Sequence, residues 1–352
     1  MTVQQHETPP AGPLGGAAVD TALALDGGGA VAARGYWSQV WRRFKRDKVA
    51  IGGGITIVLL VLVCFAGGPI MARILGHGPN HEFLQDGVTA GGNPVGLWSH
   101  VSTAPYSGAV GHFTKQLLPL GSDGSQGRDE FLRLLYGGQT SLEVAIFATI
   151  LSMALGITIG SIAGYYGGWV DLIVSRISEL VQAFPVLLFI IALSFIAGQT
   201  LNKITLGFLG QGVFTIVMAI SVFGWFYPAR IVRAQVLSLR EKEFVEAARM
   251  VGSSDARIIR SHLLPHLVAP MIVLGTILVG QNVLVEAGLS FLGVGIQDPT
   301  SSWGALLSVA PSYYLTTPLL MIWPGVAVLI TTLAFNLLGD GLRDAFDPRG
   351  SR

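Results

Sequence analysis

The residues with the strongest claim to chemistry lie in one polar loop. Glu246, Ala247 and Ala248 stand together, Gly252 follows six residues after the glutamate, and Leu264-Pro265 closes the segment. The set holds no nucleophile, no acid–base pair and no metal-ligand spacing, so what it offers is recognition. Phe244, Ala247, Ala248 and Val251 fall at helical spacing, with Glu243, Glu246 and Arg249 on another face. Gly252 suits a helix C-terminus, and Ser253 or Ser254 an N-cap for the next helix. Ile258, Ile259 and Leu263 make a second apolar stripe, which Pro265 ends or bends. Two short helices meeting at a glycine corner are the expected product. An amphipathic helix can also lie on lipid headgroups, but small residues at the centre of this stripe suit close docking against another protein better.

Elsewhere the sequence excludes several chemistries. It contains no GxxxxGK(S/T) phosphate loop, and no lysine follows a glycine anywhere. Nothing has the spacing of a hydrolytic triad or a metal cluster, so no catalytic, cofactor-binding or metal-binding residue is assigned. The sole cysteine, Cys64, cannot form an internal disulfide and lies in an apolar run, facing lipid or packing. Gln281, Asn282 and Asn336 are polar residues inside apolar runs. Each suits the lining of a solute path or, equally, an interhelical hydrogen bond. Glu143, Glu179 and Glu286 read as lying near the ends of their runs, where a carboxylate reaches the interface, and Arg176 is spaced to pair with Glu179 on one helix face.

The elements that position these residues follow from composition. Charged residues make up 12% of the chain, about half the soluble-protein share of roughly 25%. Apolar residues make up 51%. Six intervals are long and apolar enough for a membrane helix: Val49 to Ala72, Glu143 to Asp171, Glu179 to Lys203, a run whose core is Val213 to Tyr227, Leu267 to Val285, and Pro318 to Leu338. Lipid demands that every backbone group be satisfied internally, so all six are helices, and continuous rather than alternating apolar runs exclude a β-barrel. The fold class is therefore an all-α integral membrane protein with about six transmembrane helices. Lys and Arg crowd onto one side of this topology, among them Arg42 to Lys48 and Arg230 to Arg260, which places both termini in the cytoplasm. The divisions that result are a disordered cytoplasmic tail (1–35), a basic segment with the first helix (36–72) and an extracytoplasmic loop (73–136). A five-helix core (137–340) with a cytoplasmic loop at 240–266 follows, and then a C-terminal tail (341–352). Gly156, Gly160 and Gly164 recur every four residues and predict one smooth face for close helix packing. Pro185 and Pro324 should kink or break their helices.

Glu246-Ala247-Ala248 with Gly252 and Leu264-Pro265 resembles the EAA loop of binding-protein-dependent ABC importer permeases. Further motifs are similar to the C-type subunit of the dipeptide, oligopeptide and nickel transporters. They are Leu120 to Asp123 with Gly127-Arg128-Asp129, Gly164 to Asp171, Leu289 to Gly293 with Ser302-Trp303-Gly304, and Phe335 to Pro348. His262 stands where most of the family carries a branched aliphatic residue; the peptide branch often has histidine there. The likeness covers about Gly121 to Arg349 and leaves residues 1–35 and about 76–119 unmatched. It implies a type I importer permease in the bacterial inner membrane, forming half of a peptide pathway. It also implies that Phe244, Glu246, Ala247, Ala248, Gly252 and Pro265 couple to a cytoplasmic ATPase. The partners implied are a second, homologous permease subunit, two ATPase chains that carry ATP and Mg, and an extracytoplasmic binding protein. The chain is not an enzyme by itself.

Rival readings are an ion-coupled secondary transporter and a membrane scaffold that recruits a cytoplasmic partner. The secondary transporter would favour charges or inverted repeats near the midplane, whereas the sequence predicts no charge near the centre of any span. Solutes open at this stage are dipeptides, longer peptides, glutathione-like compounds and a nickel chelate.

Overall fold

Asp47 starts the first long helix, because its carboxylate accepts the amides of Val49 and Ala50 and satisfies two donors that no helical carbonyl can reach. The structure, a computed structural model, describes residues 36–83, 86–103, 114–185, 187–192 and 212–347. The expected N-terminal tail and about half of the expected third span fall outside these residues. Only 348–352 of the expected C-terminal tail do so; residues 341–346 are not tail but continue the last helix, which runs to Phe346. A short basic helix, α1 (Tyr36–Phe44), precedes α2 (Lys48–Leu62), which continues through a π-helical turn at Val63–Gly67 into α3 (Gly68–Leu75). A small hairpin of β1 (Ser99–Thr103) and β2 (Thr114–Leu118) follows, with Val101 opposite Gln116 and a buried cluster of Phe83, Val101 and Leu118.

Asp129 then caps α4 (Glu130–Tyr166), a helix of 37 residues. Two glycines with positive φ, Gly167 at 65° and Gly168 at 52°, turn the chain into α5 (Gly168–Gln182). The remaining elements are α6 (Val213–Gly224), α7 (Phe226–Leu239), α8 (Glu243–Met250), α9 (Leu264–Phe291), α10 (Trp303–Val309) and α11 (Leu319–Phe346). Among the described residues, five helical stretches are long and apolar enough to cross a membrane: Lys48–Leu75, Glu130–Tyr166, Val213–Leu239, Asp255–Phe291 and Leu319–Phe346. In the described part of the expected third span, α5 ends at Gln182, the chain leaves the helix up to Pro185, and helix resumes over 187–192.

Backbone proximity holds the bundle together. Gly156, Gly160 and Gly164 of α4 face α7, as their spacing predicts. A Cβ at Gly156 would lie 2.7 Å from Pro228 Cβ, one at Gly160 would lie 2.5 Å from Ala229 O, and one at Gly164 would lie 2.9 Å from Arg233 O. Gly53 of α2 does the same against Ala334 O of α11, at 2.8 Å. Lipid tails are as apolar as side chains, so membrane helices gain little from hydrophobic burial and depend on this kind of contact. Cys64 packs: it is buried and lies against Gly138, whose other neighbour is the buried indole of Trp303.

Three further sequence expectations need correction. The second span begins at Glu130, so Glu143 sits well inside α4 rather than at its end. Glu286 does not reach the interface; it is 0% exposed and accepts a 2.7 Å hydrogen bond from Ser290 Oγ. Charge-free intervals located the spans, and that criterion misses a helix that carries its charges into protein contacts. Pro324 does not break its helix: α11 runs through it from Leu319 to Phe346. Pro185, in contrast, lies at a break.

The glycine face yields a direct prediction. Gly160→Val should destabilise the protein by about 1–3 kcal/mol, the usual cost of overpacking. Gly275→Ala should be harmless, since a Cβ there meets nothing within 4 Å. Thermal unfolding of both variants in detergent checks it.

Candidate functional site

The polar loop folds as two short pieces joined at Gly252. Helix α8 ends in a hydrogen-bonded cap: Gly252 N donates to Arg249 O at 2.9 Å and Ser253 N to Ala248 O at 3.0 Å. This pair of bonds needs a left-handed residue between them, and Gly252 supplies it with φ +82°. A Cβ there would meet nothing within 4 Å, so conformation rather than space demands glycine. Asp255–Arg257 and a π-helical stretch, Ile258–Leu263, then lead into α9, with Pro265 in its first turn where a missing amide costs nothing.

Which face of α8 points inward was not legible from spacing. Val245, absent from the predicted stripe, is 0% exposed and packs with Tyr165, Val236, Ile258 and Leu263. Ala248 lies half-buried beside them, whereas Glu246 and Ala247 face outward, as do Met250 at 83% and Val251 at 86% exposure. Phe244 is partly exposed and its ring lies 5.2 Å from that of His266. Of the six residues expected to dock, Glu246 and Ala247 thus share an open outer face with Met250 and Val251, while Gly252 and Pro265 shape the chain.

Charges fix this knuckle to the end of α4. Arg249 lies over the Tyr165 ring at 5.3 Å, and the Tyr165 hydroxyl donates to Asp255 Oδ1 at 2.7 Å. Arg240 Nη1 donates to the carbonyls of Gly164 and Tyr165, both at 3.2 Å, filling two acceptors that the last turn of α4 leaves open. Arg233 of α7 grips Asp171 of α5 with one edge of its guanidinium, Nε donating to Oδ1 and Nη2 to Oδ2 at 2.6 Å. That hydrogen bonding holds the Asp171 carboxyl below the usual carboxylate range. The turn Gly164 to Asp171 is therefore the seat of the knuckle.

At the opposite end a second charged set gathers around the start of α4. Arg128 Nε donates to Asp123 Oδ2 at 2.9 Å, while Arg128 Nη1 reaches both Asp298 oxygens at 3.0 and 2.9 Å. Arg133 Nε lies 2.7 Å from Asp123 Oδ2. His77 Nε2 lies 2.9 Å from Asp129 Oδ2, the helix cap. Burial pushes the Asp123 carboxyl up against the pull of Arg133 and Arg128. Burial acts the same way on Asp298, but there the Arg128 hydrogen bonds win and hold it down. Sequence reasoning gave these residues no role; the pairing spans 170 positions from Arg128 to Asp298.

The three polar residues inside spans have different surroundings. Asn282 is buried and donates from Nδ2 to Thr149 Oγ1 at 2.8 Å, an interhelical bond. Gln281 is exposed, and Asn336 is half-buried beside Gly280. Among the described residues no group of three or more His, Cys, Asp and Glu side chains is arranged to hold a metal.

Comparison with known proteins matches this architecture. Residues 156–352 fit the profile of the binding-protein-dependent transport system inner membrane component, and residues 35–85 that of the N-terminal transmembrane domain of oligopeptide transport permease C. The glutathione transport system permease protein GsiD of Pectobacterium atrosepticum is 35% identical over 89% of this chain and 91% of its own length. The same protein of Escherichia coli O6:K15:H31 is 35% identical over 89% and 90%. The dipeptide transport system permease protein DppC of Alkalihalophilus pseudofirmus is 34% identical over 89% and 90%. Long helices in close glycine contact, a capped loop at one end and these matches over most of the sequence agree: the chain belongs to the family of multi-pass inner-membrane permease components of binding-protein-dependent transport systems and is not an enzyme on its own.

Proposed function

We propose that this chain forms half of the translocation pathway of an ATP-driven importer for peptides or peptide-like solutes such as glutathione, and that the α8 knuckle couples it to a cytoplasmic ATPase. The observation that carries the reading is the outer face of α8. Ala247 and the exposed Met250 and Val251 lie open, on a helix held from behind by Val245, Arg249 and the Gly252 cap. A partner that grips this face moves the end of α4, because the Tyr165 and Arg240 contacts leave little slack. The π-helical stretch Ile258–Leu263 supplies the compliant joint to α9. Nucleotide-driven closure of two ATPase chains, each holding ATP and Mg, then biases two packings of the bundle. A second permease subunit completes the pathway, and an extracytoplasmic binding protein delivers solute. This places the knuckle and both termini in the cytoplasm. Gln281, an exposed polar residue within the apolar length of α9, is the strongest described candidate for the solute path.

Reconstitution tests the coupling. In liposomes holding the co-purified complex, Ala247→Trp should abolish ATP-dependent uptake while leaving the heat stability of the chain unchanged, since the position faces outward. Gly252→Val should strain the corner by about 1–2 kcal/mol and reduce both uptake and ATPase stimulation; Gly252→Asn should largely preserve them. Uptake by the isolated chain driven by an ion gradient would reject the reading.

The seat of the knuckle should also show in acid. A carboxylate with a lowered folded-state pKa stabilises above its unfolded value of about 3.9 and loses that contribution as pH falls through the folded value. Asp171→Asn should cost about 1 kcal/mol at pH 7 and remove part of the stability loss on acidification below about pH 4. Unfolding curves of the two proteins across that range measure it.

A further inference from the structure

The start of the first span carries a constellation that the coupling mechanism leaves unused. Between residues 36 and 48 stand Arg42, Arg43, Lys45, Arg46 and Lys48 against one acid, Asp47. That acid is committed to the amides of Val49 and Ala50. On α1 the Trp37 and Trp41 side chains, one helical turn apart, are 59% and 57% exposed. The Trp41 ring stacks on Phe44 with centroids 5.8 Å apart and planes at 16°, and Lys45 Nζ lies 5.1 Å from the Trp41 centroid.

These three side chains form the mouth of an open groove that runs down α2 past Gly54, Ile55 and Val58, with Leu338 of α11 on its far wall. The lining below Lys45 is almost wholly apolar. Gly54 hollows it: a Cβ there would meet only Leu338 Cδ1 at 3.7 Å. The neighbouring Gly53 is the one that helix packing requires, so the side chain missing at Gly54 leaves space rather than a helix contact.

We propose that this groove binds one anionic phospholipid, with an acyl chain against Gly54, Ile55 and Val58 and the headgroup phosphate on Lys45. Three features select that occupant. The groove belongs to a span that is largely unburied within the protein, so hydrocarbon is its natural neighbour. Its mouth pairs the Lys45 ammonium with the exposed indole of Trp41, the combination that suits the headgroup level of a bilayer. The basic segment around it has no free acid of its own in residues 36–48, and charge complementarity therefore favours a negative headgroup over a zwitterionic one.

Native mass spectrometry of the full-length chain, with whatever subunits accompany it from mild detergent, tests this using equal amounts of added phosphatidylglycerol and phosphatidylcholine. The unaltered protein should retain phosphatidylglycerol with about a fivefold preference. Lys45→Glu should erase the preference, Lys45→Gln should weaken it, and Gly54→Leu should lower retention of both lipids. Excess inorganic phosphate should not displace the bound lipid, because the acyl chain holds it. Equal retention of the two lipids, an unchanged preference in both Lys45 variants, or displacement by phosphate would overturn the proposal. So would a photoreactive residue at Val58 that cross-links to protein instead of lipid in native membranes. The Lys45 variants decide the matter even where Gly54→Leu fails to fold.

Discussion

The contact on which the rest depends is the approach of two helix backbones, α4 and α7, along Gly156, Gly160 and Gly164. Three missing side chains let α7 lie close enough that Arg233 meets Asp171 and Arg240 meets the last carbonyls of α4. A wider spacing would pull both arginines off their acceptors and lose the hydrogen bonds that hold this end together. The seat of α8 is thus a consequence of glycine periodicity inside the membrane, some distance from the loop it supports.

The two ends of α4 are held by different physics. At the knuckle end the anchors are helix-end hydrogen bonds and one two-pronged ion pair, partly open to water. At the hairpin end Arg128 and Arg133 share Asp123 and Asp298 in a largely buried cluster whose parts are costly to separate once desolvated. Such a cluster suits a fixed frame. The knuckle, with a π-helical joint beside it, suits an element that moves as a unit.

Much of this was legible from residue order. Apolar run lengths located five of the six expected spans, the third lying about half outside the described residues; a four-residue glycine repeat marked the close helix face, and Gly252 after a short amphipathic run marked the corner. The inward face of α8 was not legible, because Val245 and Val251 are equally apolar and only the surroundings decide which is buried. Nor were Arg240 on the α4 carbonyls, Arg233 with Asp171, or Arg128 with Asp298. Periodicity records which face of an element is apolar; it says nothing about which distant charge that element will meet. The boundary of α4 failed for a related reason: Glu143 looks like a span limit until its environment is known.

The central claim is that the knuckle faces a nucleotide-hydrolysing partner inside the cell, and its sidedness is the most direct test. A single cysteine at Ala247, in a chain whose buried Cys64 is replaced by serine, should resist a membrane-impermeant maleimide in intact cells. It should react once the membrane is opened, and be shielded again when the ATPase chains are bound. Labelling of that cysteine from outside intact cells would contradict the account.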